Sequence, residues 1–181
     1  MRIEHHPLAV AQLKRHEGLS LVPYRCPAGF LTIGYGHNID ANPVPNLGPD
    51  DKISELEAGK LLELDMRSCG IALDRSLPGW RGLSEPRQAV LLNMALNLGV
   101  RGLLGFKKAL AALREGNFDT ASREMLDSKW RRDVKDRALE LAEQMRSGLW
   151  QYPERQEDGC RASSQRSGAT GDVRSPADVR K

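Results

Sequence analysis

Between Leu21 and Pro49 the chain is broken by prolines 23, 27, 43, 45 and 49 and by glycines 29, 34, 36 and 48. Proline lacks a backbone N–H and clashes with the preceding helical turn, so a long helix cannot run through this stretch. The runs left between the breakers, such as FLTIGYG, are short and partly β-branched. Together they predict a small, strongly turned antiparallel sheet.

The flanking segments read differently. Pro7 suits a first helical turn, and Leu8, Val10 and Leu13 give partial helical spacing until Gly18 interrupts it. Further on, Ser54 and Glu57 form a capping-box signature, and the proline-free segment after them predicts one long helix over 55–74. A second helix opens at Ser84, tolerates Pro86 in its first turn and stops at Gly99. Shorter helices are predicted over 106–114, 119–128 and 136–147, the last ended by Gly148. The predicted class is α+β: a small N-terminal β-containing lobe, a long helix, and a larger helical lobe.

Residues 153–181 contain no Leu, Ile, Phe, Met or Trp. Such a segment cannot bury enough apolar area to offset chain entropy, so a disordered tail is expected there. The chain is thus read as a folded domain over 1–152 and a polar tail over 153–181.

A net charge of +3 and a pI near 8.9 suit an acidic polymer as partner without requiring one. The basic stretch Lys129 to Arg137 also carries Asp133 and Asp136 and has no reader motif. It is read as a solvated helix face, and no nucleic-acid partner is expected. No apolar run approaches the ~20 residues that span a bilayer. The N-terminal stretch lacks a signal-peptide core, so synthesis in the cytosol without a membrane anchor is expected. Cys26, Cys69 and Cys160 are odd in number and show no zinc spacing, so neither a disulfide framework nor a metal site nor a cofactor is expected.

Within HEGLSLVPYRCPAGFLTIGYGHN, Glu17 precedes Cys26 and Thr32. Taken singly, Glu17 is a solvated helix-end residue, Cys26 a small core residue and Thr32 a strand residue. Taken together they are an acid, a thiol and a hydroxyl on one turn-rich ribbon. Glycoside hydrolysis needs a proton-donating carboxyl and a second group that activates water or attacks the sugar carbon.

HEG, PYRCPAG and LTIGYGH resemble the phage lysozymes of glycoside hydrolase family 24, the T-even phage type. Glu17, Cys26 and Thr32 fit that family's spacing of Glu, Asp (or Cys in a subset) and Thr without a gap. The resemblance runs on through EAGKLLELD, LLNMALNLG, GF at 105–106, SKW at 128–130, DRA at 136–138 and RSGLW at 146–150. It implies a lysozyme-like fold and a muramidase that cleaves the β-1,4 bond between N-acetylmuramic acid and N-acetylglucosamine in peptidoglycan. Glu17 would be the general acid. Thr32 would hold the attacking water together with Cys26, whose thiolate could act as base or as nucleophile.

The resemblance further implies that Arg137 reaches Glu17 and fixes its geometry. His37 and Asp65 would form a stabilising ion pair, and Asn38, Leu96 and Asn97 would line the saccharide cleft. Trp130 and Trp150 match core positions. It also implies an endolysin, monomeric, held in the host cytoplasm until a separate holin lets it reach the wall. The rival reading is a non-catalytic peptidoglycan binder on the same fold.

Overall fold

The structure is a computed structural model that describes residues 1–48 and 50–151. Pro49 and the expected tail lie outside the described residues. The described part is α+β, with one three-stranded antiparallel sheet and seven α-helices.

Helix α1 spans Pro7–Glu17, with Pro7 in its first turn and His6 Nδ1 accepting the Leu8 N–H at 3.2 Å. Strands β1 (Ser20–Arg25), β2 (Leu31–Gly34) and β3 (His37–Asn38) follow in the order β1-β2-β3. The register pairs Tyr24 with Thr32 and Thr32 with Asn38, so these three residues form one rung across the sheet. Pro23 sits on the edge strand, inside the irregularity between Ser20 and Tyr24, where no ladder N–H is needed.

Helix α2 spans Glu55–Ser76 and starts from the full capping box: Ser54 Oγ accepts the Glu57 N–H at 3.2 Å, and Glu57 Oε2 accepts the Ser54 N–H at 2.7 Å. It packs on β2, β3 and α3, and so ties the sheet to the helical part. Helix α3 spans Glu85–Leu104. Its helical backbone stops at Gly99, as expected: Gly99 takes the non-helical φ 72, ψ 156, and a second short helical piece with buried Leu103 follows directly. Glycine pays no Cβ penalty at positive φ, which allows the kink.

Helices α4 (Lys107–Arg114), α5 (Phe118–Leu126) and α7 (Asp136–Ser147) match the expected segments closely. Helix α6 (Lys129–Val134) is a separate short helix in the stretch read as a solvated helix face, but it turns Trp130 inward. Its Trp130 is buried, meets Phe106 edge-on at 5.9 Å, and donates its indole N–H to Asn97 Oδ1 at 2.9 Å. Trp150 is half-buried and stacks on His6 at 4.8 Å. The core is continuous from Ile3 and Leu13 through Met66, Leu73 and Trp80 to Leu91, Leu92, Leu141 and Met145. Among the described residues no single helix is long and apolar enough to cross a membrane.

Candidate active site

Gly18 takes φ 70 and ends α1, which makes Glu17 the last helical residue. Arg137 Nη2 donates to Glu17 Oε1 at 2.7 Å, and the two side chains are only 10% and 22% exposed. The other carboxylate oxygen faces Gly36, where a Cβ would stand 3.8 Å from it. Glu17 lines two hollows. One, of about 300 Å³, also takes in Asn38, Asp65, Cys69, Leu96 and Val100. The other, of about 310 Å³, takes in Ser20, Tyr24 and Gly34. The carboxylate therefore stands where the space over the sheet meets the space against α2 and α3. A larger hollow of about 580 Å³, lined by Phe106, Trp130 and the lysines of α4, does not include Glu17.

Cys26 opens the turn after β1. Its N–H donates to the Phe30 carbonyl at 2.9 Å, and the Gly29 N–H donates to the Cys26 carbonyl at 2.8 Å. Partial burial works against ionisation of the thiol. The nearby backbone N–H groups of Phe30, Ala28 and Gly29 and the Thr32 hydroxyl favour the thiolate, and the balance holds the thiol below its ordinary value. Thr32 is buried, and its hydroxyl also lies 3.1 Å from the Phe30 carbonyl.

Tyr24 links the two halves. Burial raises its phenol first, and negative charge at Cys26 and at Glu17 raises it further, so both groups lie within electrostatic reach of one side chain. Cys69 differs from Cys26 in kind. Burial, with Glu4 and Asp65 nearby, pushes its thiol up to about 12, so it stays neutral at pH 7. Both are free thiols.

His37 Nδ1 lies 2.9 Å from Asp65 Oδ2, and its Nε2 lies 2.9 Å from the Asn42 carbonyl. Both ring nitrogens face acceptors, an arrangement that favours the doubly protonated ring. The hydrogen bond to Asp65 raises His37, against a smaller penalty for burial. The pair joins β3 to α2 and offers no lone pair for base chemistry.

Asn38 and Leu96 line the hollow beside Glu17, whereas Asn97 does not and is bonded to Trp130. Sequence reasoning passed over Tyr24, His16, Asn93 and Glu140. Asn93 holds Arg137 with Oδ1, which lies 2.9 Å from Nε and 2.6 Å from Nη2. A signal was present: Asn93 is a lone polar residue inside the apolar run AVLLNMAL. The turn before Arg137 is also unusual, since Lys135 takes φ 46 between α6 and α7.

The model of the phage lysozyme family matches residues 14–147. The pre-baseplate central spike protein Gp5 of Enterobacteria phage T4 is 30% identical over 145 residues, covering 70% of this chain. This chain spans only 25% of that protein's length. Probable T4-type lysozyme 1 of Dictyostelium discoideum is 27% identical over 156 residues, covering 75% of this chain and 92% of the relative. An endolysin of Acyrthosiphon pisum secondary endosymbiont phage 1 is 29% identical over 118 residues, covering 65% of this chain and 73% of the relative. Since the family match takes in Glu17, the sheet with its Cys26 turn, and Arg137 in one span, this chain belongs to the phage lysozyme family.

Proposed function

We propose that this chain is an endolysin that hydrolyses the β-1,4 bond between N-acetylmuramic acid and N-acetylglucosamine in bacterial peptidoglycan. Glu17 gives its proton to the leaving glycosidic oxygen. A water on the opposite face adds to the sugar carbon and passes its proton to the Cys26 thiolate, with Thr32 holding that water. Configuration at the sugar carbon is inverted. Asn38 and Leu96 contact the glycan. The enzyme acts as a monomer, waits in the host cytoplasm and reaches the wall once a separate holin has opened the membrane.

The observation that carries this reading is the Glu17 carboxylate, held by Arg137 at 2.7 Å where two hollows meet, with Tyr24 of the second hollow in the same sheet rung as Thr32. An ordinary thiol is only a few per cent ionised at pH 7, and Cys26, held below that ordinary value, is better suited to be the base. The family's catalytic logic is thereby kept with sulfur in place of a carboxylate.

The deciding experiment follows purified peptidoglycan by release of reducing ends, alongside clearing of chloroform-treated Gram-negative cells. Wild type should do both, and Glu17→Gln should lose at least the ~10²-fold ascribed to general acid catalysis. Binding of the wall without any bond cleavage by wild type would instead make this chain a wall-binding module.

A further inference from the structure

The Glu17–Arg137 pair is the outer end of a largely buried chain of polar groups shared by α1, α3 and α7. Asn93 in α3 is 1% exposed and accepts two N–H bonds from Arg137 on Oδ1. Its Nδ2 lies 3.1 Å from His16 Nδ1, and His16 Nε2 lies 3.1 Å from Glu140 Oε2. Glu140 Oε1 also takes the Gln12 amide at 2.6 Å and pairs with Arg15. Burial alone would raise Glu140, but hydrogen bonds from His16, Arg15 and Gln12 bring its carboxyl down to about 2.

Donor and acceptor chemistry leaves this chain of groups one arrangement. A guanidinium only donates, so Asn93 must offer Arg137 its oxygen and turn its NH₂ to His16. That NH₂ also only donates, so His16 Nδ1 must be the bare nitrogen. An ionised Glu140 only accepts, so His16 Nε2 carries the proton. A doubly protonated ring would set N–H against N–H at Asn93. Relief would require the amide to turn over, which would present its NH₂ to Arg137.

We propose that His16 is a positioning residue whose neutral Nε2–H form locks the Asn93 amide in the orientation that chelates Arg137, which in turn aims Glu17. The inference rests on the reading of Glu17 as the acid. The charged groups around His16 are Glu140 and, beyond Asn93, Arg137 from α7, and Arg15 and Glu17 from α1; α3 contributes the neutral Asn93.

The test begins with ¹⁵N NMR of the His16 ring in the wild-type chain, across the pH range of activity. The expected result is the Nε2–H form wherever kcat is maximal. An Nδ1–H ring or an imidazolium there overturns the proposal. On soluble peptidoglycan fragments, His16→Leu should lose about 10- to 100-fold in kcat, the scale of a ~1 Å misplacement, with KM little changed. His16→Gln, which keeps a donor and an acceptor, should regain most of that kcat. A folded His16→Leu with wild-type kcat sinks the positioning role. Glu17→Gln, run in parallel, separates the two readings: if it stays active the assignment of the acid fails, and if it is dead while His16→Leu is not, only the role of His16 fails.

Discussion

Arg137 Nη2 meets Glu17 Oε1 at 2.7 Å across 120 positions of chain, while the same guanidinium grips Asn93 Oδ1 through Nε and Nη2. One planar fork thus fixes two side chains from two other helices. Arginine can do this because its donors are rigidly spaced, whereas a lysine ammonium is a point charge on a flexible stem.

Replacing Arg137 by Lys should therefore keep the charge and lose the geometry. We expect kcat to fall about 10- to 100-fold, as for a ~1 Å misplacement of a reacting group, with little change in KM. Steady-state rates on soluble fragments at neutral pH measure it, and wild-type kcat in the Lys variant would show that charge alone suffices.

Cys26 should give the pH profile its rising limb. If the thiolate is the base, activity increases with pH through the Cys26 value, which lies below that of an ordinary thiol. Cys26→Asp should stay active and move this limb down toward the carboxylate range near ~3.9, while Cys26→Ala should lose most activity. Iodoacetamide at pH 7 should inactivate a Cys160→Ser background through Cys26, because Cys69, pushed up to about 12, stays protonated. Full activity in Cys26→Ala, or inactivation traced to Cys69, would contradict the base assignment.

His37 and Asp65 should make folding stability depend on pH. The folded His37 holds its proton more tightly than the unfolded chain, whose histidine titrates near ~6.5. The contribution is complete below that value and is lost as pH rises through the higher folded value. Removing the carboxylate with Asp65→Ala should cost about 1–3 kcal/mol below pH 6, the scale for leaving a mostly buried donor without its partner. Urea midpoints between pH 5 and 9 test the sign, and a difference between variant and wild type that grew with pH would refute it.

Gly70 stands in the middle of α2, where alanine is normally favoured by about 1 kcal/mol. A Cβ at this position would overlap Glu4 Oε1, which is buried and paired with Arg81. Gly70→Ala should accordingly destabilise the fold by about 1–3 kcal/mol, the usual penalty for overpacking. Chemical denaturation decides it, and a gain in stability would mean that Glu4 moves aside freely.

Much of the fold was legible because its signals are local. The capping box at Ser54, the stop at Gly148 and the proline-glycine punctuation of 21–49 each act within a few residues, and the structure shows a helix start, a helix end and a small sheet there. The bounds and buried face of α6 were not legible because six residues, mostly charged, carry no readable period; its place is set by Trp130 packing on Phe106. The stop at Gly99 was legible because glycine permits positive φ, but not the helical piece that resumes after it, which is held by buried Leu103.

The order of residue types from Glu17 to Thr32 belongs to the sequence, since the acid, the thiol and the hydroxyl are close along the chain and their chemistry is intrinsic to the side chains. The surroundings of those groups belong to the tertiary structure. The donors that lower Cys26 are mostly backbone N–H groups, whose direction depends on φ and ψ and not on residue identity. The support of Glu17 comes from Arg137, Asn93, His16 and Glu140, where His16 meets Asn93 across 77 positions and Glu140 across 124. No local rule reaches across such separations. Only the packing of α1, α3 and α7 brings these donors and acceptors together, and burial then makes their pairing obligatory.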